Sequence, residues 1–205
     1  MSQTLASTDA DAHADAALIG PNAVTQLRAA LDAAGIDPVP LFRAAGVVEW
    51  LDHPPDAMID EARVARLHRA VRDALPFARS SALLADAGRR TADYLLAHRI
   101  PRPARAVLKS TPPRLAAALF VPAIRAHAWT FCGSGDFAGQ AGKPTVFTMT
   151  GNPMIHGEVS TAPLCVWHAA VFQRLFQVLV ARSARAVETE CEASGGACCR
   201  FVVDW

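Results

Sequence analysis

The sequence predicts an α+β fold, with a helical N-terminal half followed by an antiparallel sheet packed with helices. Three observations predict it. Between residues 18 and 126 apolar side chains return every three or four positions, the helical period. After His127 the texture shifts to aromatic, β-branched and sulfur-bearing residues. Residues 186–205 form two strand-like runs around Ser194-Gly195-Gly196, the pattern of a hairpin.

Residues 1–17, rich in Ala, Asp and Ser, read as a tail. Helical character begins at Gly20: Pro21 suits a first turn, Val24, Leu27 and Leu31 repeat at helical spacing, and Gly35 is a natural stop. A short helix over Leu41–Ala45 lies between Pro40 and Gly46, and a loop runs on through Trp50, His53, Pro54 and Pro55. Asp60 is expected to cap a helix whose Val64, Leu67, Val71 and Leu75 face one way and whose arginines face the other; Pro76 ends it. From about Ser81 a further helix aligns Leu84, Ala87, Thr91, Leu95 and His98 and closes before Pro101. Ala104–Ile124 is helix-like with interruptions at Pro112, Pro113 and Pro122.

Ala128–Cys132 and Thr145–Thr150 read as two strands, with a glycine-bearing stretch, residues 133–142, between them. Leu164–Arg182 is the clearest amphipathic helix, through Trp167, Val171, Leu175, Val178 and Leu179. The closing hairpin pairs Ala186–Ala193 with Ala197–Trp205. The expected organisation is a helical region over 18–126 and an α+β ligand-binding core over 127–205, together one continuous domain of a 205-residue chain.

A chain that is 52% hydrophobic and 19% charged, with mean hydropathy +0.19, is not disordered. Its apolar runs fall short of a membrane span, and its first residues lack a basic and an apolar export segment, so a cytoplasmic location is expected. The net charge of +1 hides a segregation. Residues 1–60 carry two Arg against nine acidic groups, whereas residues 61–125 carry thirteen Arg/Lys against four acidic groups. Such a basic segment is either a solvated helical face or an anion-attracting surface. Nucleic acid is disfavoured, because no aromatics interleave the cations and no groove-reading motif accompanies them.

Gly133-x-Gly135-x-x-x-Gly139 leads into a strand rather than a helix, so no helix N-terminus stands ready for a dinucleotide phosphate. Five cysteines without an export signal leave metal ligation, reactivity or burial as their uses. Cys191 and the Cys198-Cys199 pair sit on the two arms of the hairpin, half of a zinc site, and Cys165 at a helix start offers a third sulfur. Glu188, Glu190 or Glu192 can complete it, but strand alternation puts all three opposite Cys191 unless a bulge intervenes. Buried, merely packed cysteines are the other reading.

Glu188-x-x-Cys191-x7-Cys199-x-Phe201, with Cys165 upstream, resembles the closing motif of the 4-vinyl reductase domain, a small-molecule-binding domain that also forms the sensory half of aromatic-responsive transcription activators. In that sensory branch three cysteines and a glutamate hold zinc, and the resemblance implies the same role for Cys165, Glu188, Cys191 and Cys199. Filling four positions leaves none for water, so the zinc would be structural. Ile19-Gly20-Pro21-Asn22-Ala23 and Trp129-Thr130-Phe131-Cys132-Gly133-Ser134-Gly135 are similar to the bacteriochlorophyll-synthesis branch, the bacteriochlorophyll 4-vinyl reductase family, and the likeness extends over about residues 18–205.

That family name implies reduction of a vinyl group, which needs a nicotinamide, a flavin or an iron–sulfur cluster. No supported dinucleotide fingerprint or spare cysteine quartet accompanies the zinc set, and the expected role is therefore a carrier of a magnesium-tetrapyrrole intermediate. The alternatives are a vinyl reductase and a ligand-sensing regulatory module. A carrier needs an apolar slot, a neutral His for magnesium and Arg groups for propionates. His127, Trp129, His156 and His168 are pocket candidates, and Arg99, Arg102 and Arg105 are propionate candidates. The resemblance further implies a homodimer, and a carrier would exchange pigment with the magnesium-chelatase large subunit or the following methyltransferase.

Overall fold

The computed structural model describes residues 17–205, so the expected tail, Ala17 apart, lies outside the described residues. The element order is β1 (Leu18–Ile19), α1 (Asn22–Ala33), α2 (Val39–Ala44), β2 (Ile59–Asp60), α3 (Glu61–Ala74), α4 (Phe77–His98), α5 (Arg102–Ser110), α6 (Pro113–Ala126), α7 (Trp129–Cys132), β3 (Asp136–Gln140), β4 (Thr145–Thr150), α8 (Val166–Leu179), β5 (Arg185–Glu190) and β6 (Cys199–Asp204). The fold is α+β as expected.

Asp60 caps α3, its carboxylate accepting from the Ala62 amide at 2.7 Å and the Arg63 amide at 3.3 Å. α3 buries Val64, Leu67, His68 and Val71. α4 starts at Phe77, four residues earlier than the sequence suggests, because Pro76 is extended and serves as the residue before the first turn. Its buried stripe ends on Leu96; His98 is exposed. The proline-rich stretch is two helices, α5 and α6, separated at Thr111-Pro112, and Pro122 sits inside α6 on its exposed side.

The largest correction concerns Ala128–Cys132, which is the helical turn α7 and not a strand. Local β propensity loses here to tertiary contacts: the Thr130 carbonyl accepts from the Gly20 amide at 2.7 Å, and Phe131 packs edge-on against Phe137 and Phe172. The first strand of the main sheet is instead β3, inside the glycine-bearing stretch expected to lie between two strands.

The main sheet is antiparallel with order β3-β4-β6-β5. Phe147 and Met149 of β4 and Cys199, Phe201 and Val203 of β6 point to one face, where α8 lies across them. Phe147 stacks there on Phe137 and Phe172, and Phe176 and Phe201 meet the group edge-on. On its other side α8 packs against α4, and α4 in turn carries α1. Gly88 permits the α4–α8 approach, since a β-carbon there would strike the Trp167 carbonyl and come within 2.9 Å of the Ala170 β-carbon. α8 is thus held between sheet and helices, and its N-terminal end opens beside the closing hairpin.

Candidate metal centre

Cys165 is the residue before the first turn of α8, Glu188 lies on β5, Cys191 follows β5 and Cys199 opens β6. The structure brings these four together: their ligand atoms lie within 4.8 Å of one another and all four residues are buried. What lets Glu188 share a side with Cys191 is a bulge. Glu188 stands opposite Phe201 and Glu190 opposite Arg200, so Thr189 is an extra residue on β5 that reverses the alternation before Cys191. Of the vicinal pair it is Cys199 that enters the cluster, with Cys198 outside it.

The cluster has the chemistry of a cation site. Cys165 Sγ lies 3.5 Å from Cys199 Sγ, the free-thiol separation that two sulfurs about 2.3 Å from one zinc adopt with little movement. Glu188 Oε2 accepts the Cys165 amide at 2.7 Å, whereas Glu188 Oε1 is buried with no hydrogen-bond partner. Burial, and then the Cys191 thiolate, push the Glu188 carboxyl up to about 8. Hydrogen bonds to Cys191 and Cys199, with burial, hold the Cys165 thiol well above its usual range. The Cys165 contact favours a Cys199 thiolate, but Cys191 and burial outweigh it and push Cys199 up to about 12. Cys191, accepting from Cys165 and Cys199, is the group held low. Four acids crowded in a dry space oppose one another's ionisation, and a divalent cation would release their remaining protons.

One supporting residue had no sequence signal of its own, and a second, Glu192, was expected as a possible ligand and instead braces a turn. Asn152 is buried and its Nδ2 donates to Cys165 Sγ at 3.2 Å and Cys199 Sγ at 3.6 Å, while its Oδ1 accepts the Met154 amide. Within Gly151-Asn152-Pro153 it reads only as a turn residue. Glu192 accepts the Gly151 and Asn152 amides at 2.7 and 2.9 Å, tying that turn to the hairpin. Arg72 of α3 braces the same loop through the Met154 carbonyl and Glu158.

The pigment candidates do not converge. His127 is exposed at the end of α6, its Nδ1 bonded to the Ala123 carbonyl; Trp129 is exposed on α7 rather than entering a strand. His156 lines a cavity of about 190 Å³ beside Asn152 and Glu192. His168 is buried among Phe131, Trp167 and Phe201, and burial pushes it down to about 4, so it is neutral. Arg99 and Arg102 are exposed and Arg105 is half-buried. A larger cavity, about 730 Å³, lies elsewhere, between α5 and the C-terminal end of α8, lined by Lys109, Arg174, Arg182 and Arg185 around Val178–Ala181. In the glycine stretch, the Ser134 amide and hydroxyl donate to Glu61 at 2.7 and 2.6 Å, so that loop already holds a carboxylate of its own chain.

The 4-vinyl reductase domain family matches residues 145–204, the segment containing all four cluster residues. The bacteriochlorophyll synthase 23 kDa chain of Cereibacter sphaeroides is 44% identical over 186 residues, 89% of this chain and 88% of that one. The protein of the same name from Rhodobacter capsulatus is 40% identical over 190 residues, 90% and 86% of the two chains. The chain belongs to the family of these bacteriochlorophyll synthase 23 kDa chains. Two solved structures also match: the phenol-responsive sensory domain of the transcription activator PoxR with phenol (16% identity, TM-score 0.48, 71% of this chain and 74% of that one), and a vinyl-4-reductase family protein from Methanocaldococcus jannaschii (12%, TM-score 0.36, 71% and 92%). Among the described residues no helix is long and apolar enough to cross a membrane.

Proposed function

We propose that this protein binds a magnesium-porphyrin or chlorophyllide intermediate of bacteriochlorophyll synthesis and carries it between pathway enzymes, with a structural zinc ion on Cys165, Glu188, Cys191 and Cys199. The observation that carries the reading is kinship: two relatives named as chains of a bacteriochlorophyll synthase match it over nine-tenths of its length. The cluster favours a structural ion because four protein ligands complete a tetrahedron and tie the hairpin to the head of α8.

The cavity beside α8 supports the pigment half of the reading. Its volume, about 730 Å³, is in the range of small-molecule sites, and its guanidinium and ammonium groups are suited to propionates over an aliphatic wall. Arg174 is shared with Asp93 at 2.7 Å, leaving Lys109, Arg182 and Arg185 as the first carboxylate anchors. A vinyl reductase is the second reading. The Glu61 carboxylate in the glycine loop weighs against it, since a dinucleotide phosphate there would displace an anion already held by Ser134.

The test is to titrate the zinc-assayed protein with magnesium-protoporphyrin and with a divinyl chlorophyll precursor, with and without NADPH. A shifted Soret band without loss of the vinyl group is expected, weakened about tenfold by Arg182→Glu. NADPH-dependent conversion would replace the carrier with the reductase. Exchange partners, the magnesium-chelatase large subunit or the following methyltransferase, and a homodimer belong to the same proposal.

A further inference from the structure

The α5–α6 hairpin reverses the usual pattern of a surface helix pair. α6 buries Ala116, Ala117, Phe120, Val121 and Ile124 against the body of the protein. Its opposite face is apolar as well: Leu115, Ala118, Leu119, Pro122 and Ala126, at spacings of three and four, are all exposed. Leu115 and Leu119 are 59% and 57% exposed, Val107 on α5 is 56% exposed, and Trp129, just past α6, is 58% exposed. Helix polarity is confined to the ends, at Arg114 and Arg125.

The charge on this hairpin has one sign. From Tyr94 to Gly135 the chain contains no Asp or Glu and six cations, Arg99, Arg102, Arg105, Lys109, Arg114 and Arg125. Arg102, Arg105 and Lys109 recur every three or four residues along α5, and Arg105 Nε is buried with no hydrogen-bond partner. An apolar stripe on a hairpin whose only charged groups are cations, with a Trp just beyond it, has the chemistry of a helix lying in the headgroup layer of an anionic bilayer.

We propose that α5 and α6 form a peripheral membrane-docking face, with α6 flat on an anionic lipid surface, the Leu115–Leu119 stripe in the acyl boundary and the α5 cations on headgroup phosphates. Charge complementarity selects this occupant. Two copies paired about a two-fold axis would set these cations against each other without an acidic group on either hairpin to offset them. α6, with 14 residues, extends about 21 Å, long enough to rest along the interface and too short to cross it.

Flotation of the purified pigment-free protein with vesicles tests the proposal independently of the carrier reading, because no tetrapyrrole is present. Co-flotation is expected with phosphatidylglycerol-containing vesicles at low salt, with at least a roughly tenfold weaker partition onto pure phosphatidylcholine or in high salt. Leu115→Glu with Leu119→Glu, and separately Arg102→Gln with Arg114→Gln and Arg125→Gln, should each reduce the bound fraction about tenfold or more with unchanged far-UV circular dichroism. Wild-type protein that fails to float with anionic vesicles at low salt overturns the proposal. So does a solution dimer that the Leu115→Glu, Leu119→Glu variant converts to monomer while vesicle binding is unaltered, which assigns the face to a second copy.

Discussion

The closing hairpin and the α5–α6 hairpin break the same rule in opposite directions. Around Cys191, ionisable groups that belong in water are sealed inside, one carboxylate oxygen of Glu188 without any partner. On α6, apolar groups that belong inside are turned to solvent along the whole helix. Exposed or buried residues of the wrong kind are informative because free chains gain nothing from them. On the two proposals above each region is half of an interaction, and the partners differ: a small divalent cation for one, an extended anionic and apolar surface for the other. Their dependence on the fold also differs. Removing the first partner should weaken the protein itself, whereas removing the second should leave its stability unaltered.

The largest expected effect lies at the cluster. Cys199→Ser should abolish stoichiometric zinc and destabilise the protein by about 4 kcal/mol, lowering the thermal midpoint by roughly 8–16 °C. Zinc analysis with calorimetry measures both, and a metal-free wild type as stable as the holoprotein would break the contrast. Asn152→Ala, which removes donors from two sulfurs, should weaken zinc affinity about 10–100-fold, read by competition with a chromogenic chelator.

Buried histidines give a third, pH-dependent effect. His68 Nε2 is bonded to the Ala23 carbonyl at 2.9 Å, and burial pushes the ring down to about 3. The unfolded ring titrates near 6.5, so between about pH 6.5 and 3 the unfolded chain binds the extra proton and stability falls with acidification, by about 1.4 kcal/mol per pH unit; above 6.5 it contributes no slope. His68→Gln should remove that one-proton slope in denaturant titrations between pH 6 and 4, with His168, pushed down to about 4, supplying a similar slope of its own. The smallest effect is the sharpest counterpart to the cluster: Leu115→Glu with Leu119→Glu should change unfolding free energy by only about 0.5 kcal/mol per site or less. A loss of several kcal/mol there would show that the α6 stripe is part of the core.

Much of this was legible in the chain. The Asp60 cap, the apolar spacing of α1, α3 and α8, and the glycine turn before Cys198 are short-range features, each decided by a few adjacent residues. The spacing of Cys165, Glu188, Cys191 and Cys199 was legible too, as a pattern. That Glu188 rather than Glu190 faces inward was not, because the bulge at Thr189 arises from pairing with a strand ten residues away. Ala128–Cys132 misled for a related reason. Its β-prone residues are held helical by Gly20 and by an aromatic cluster assembled from β3 and α8.

The sequence by itself determined the α+β class, the basic middle of the chain with its acid-free run from Tyr94 to Gly135, and the inventory of cysteines, since composition and periodicity are properties of the chain before it folds. Only the tertiary structure decided that Asn152 bonds the cluster sulfurs, that Lys109 shares a cavity with Arg174 of α8, Arg182 and Arg185, and that α6 turns one apolar face inward and leaves the other bare. Those outcomes depend on which elements meet, and a contact between residues 13 to more than 60 positions apart is set by packing of the whole core, which local spacing does not encode.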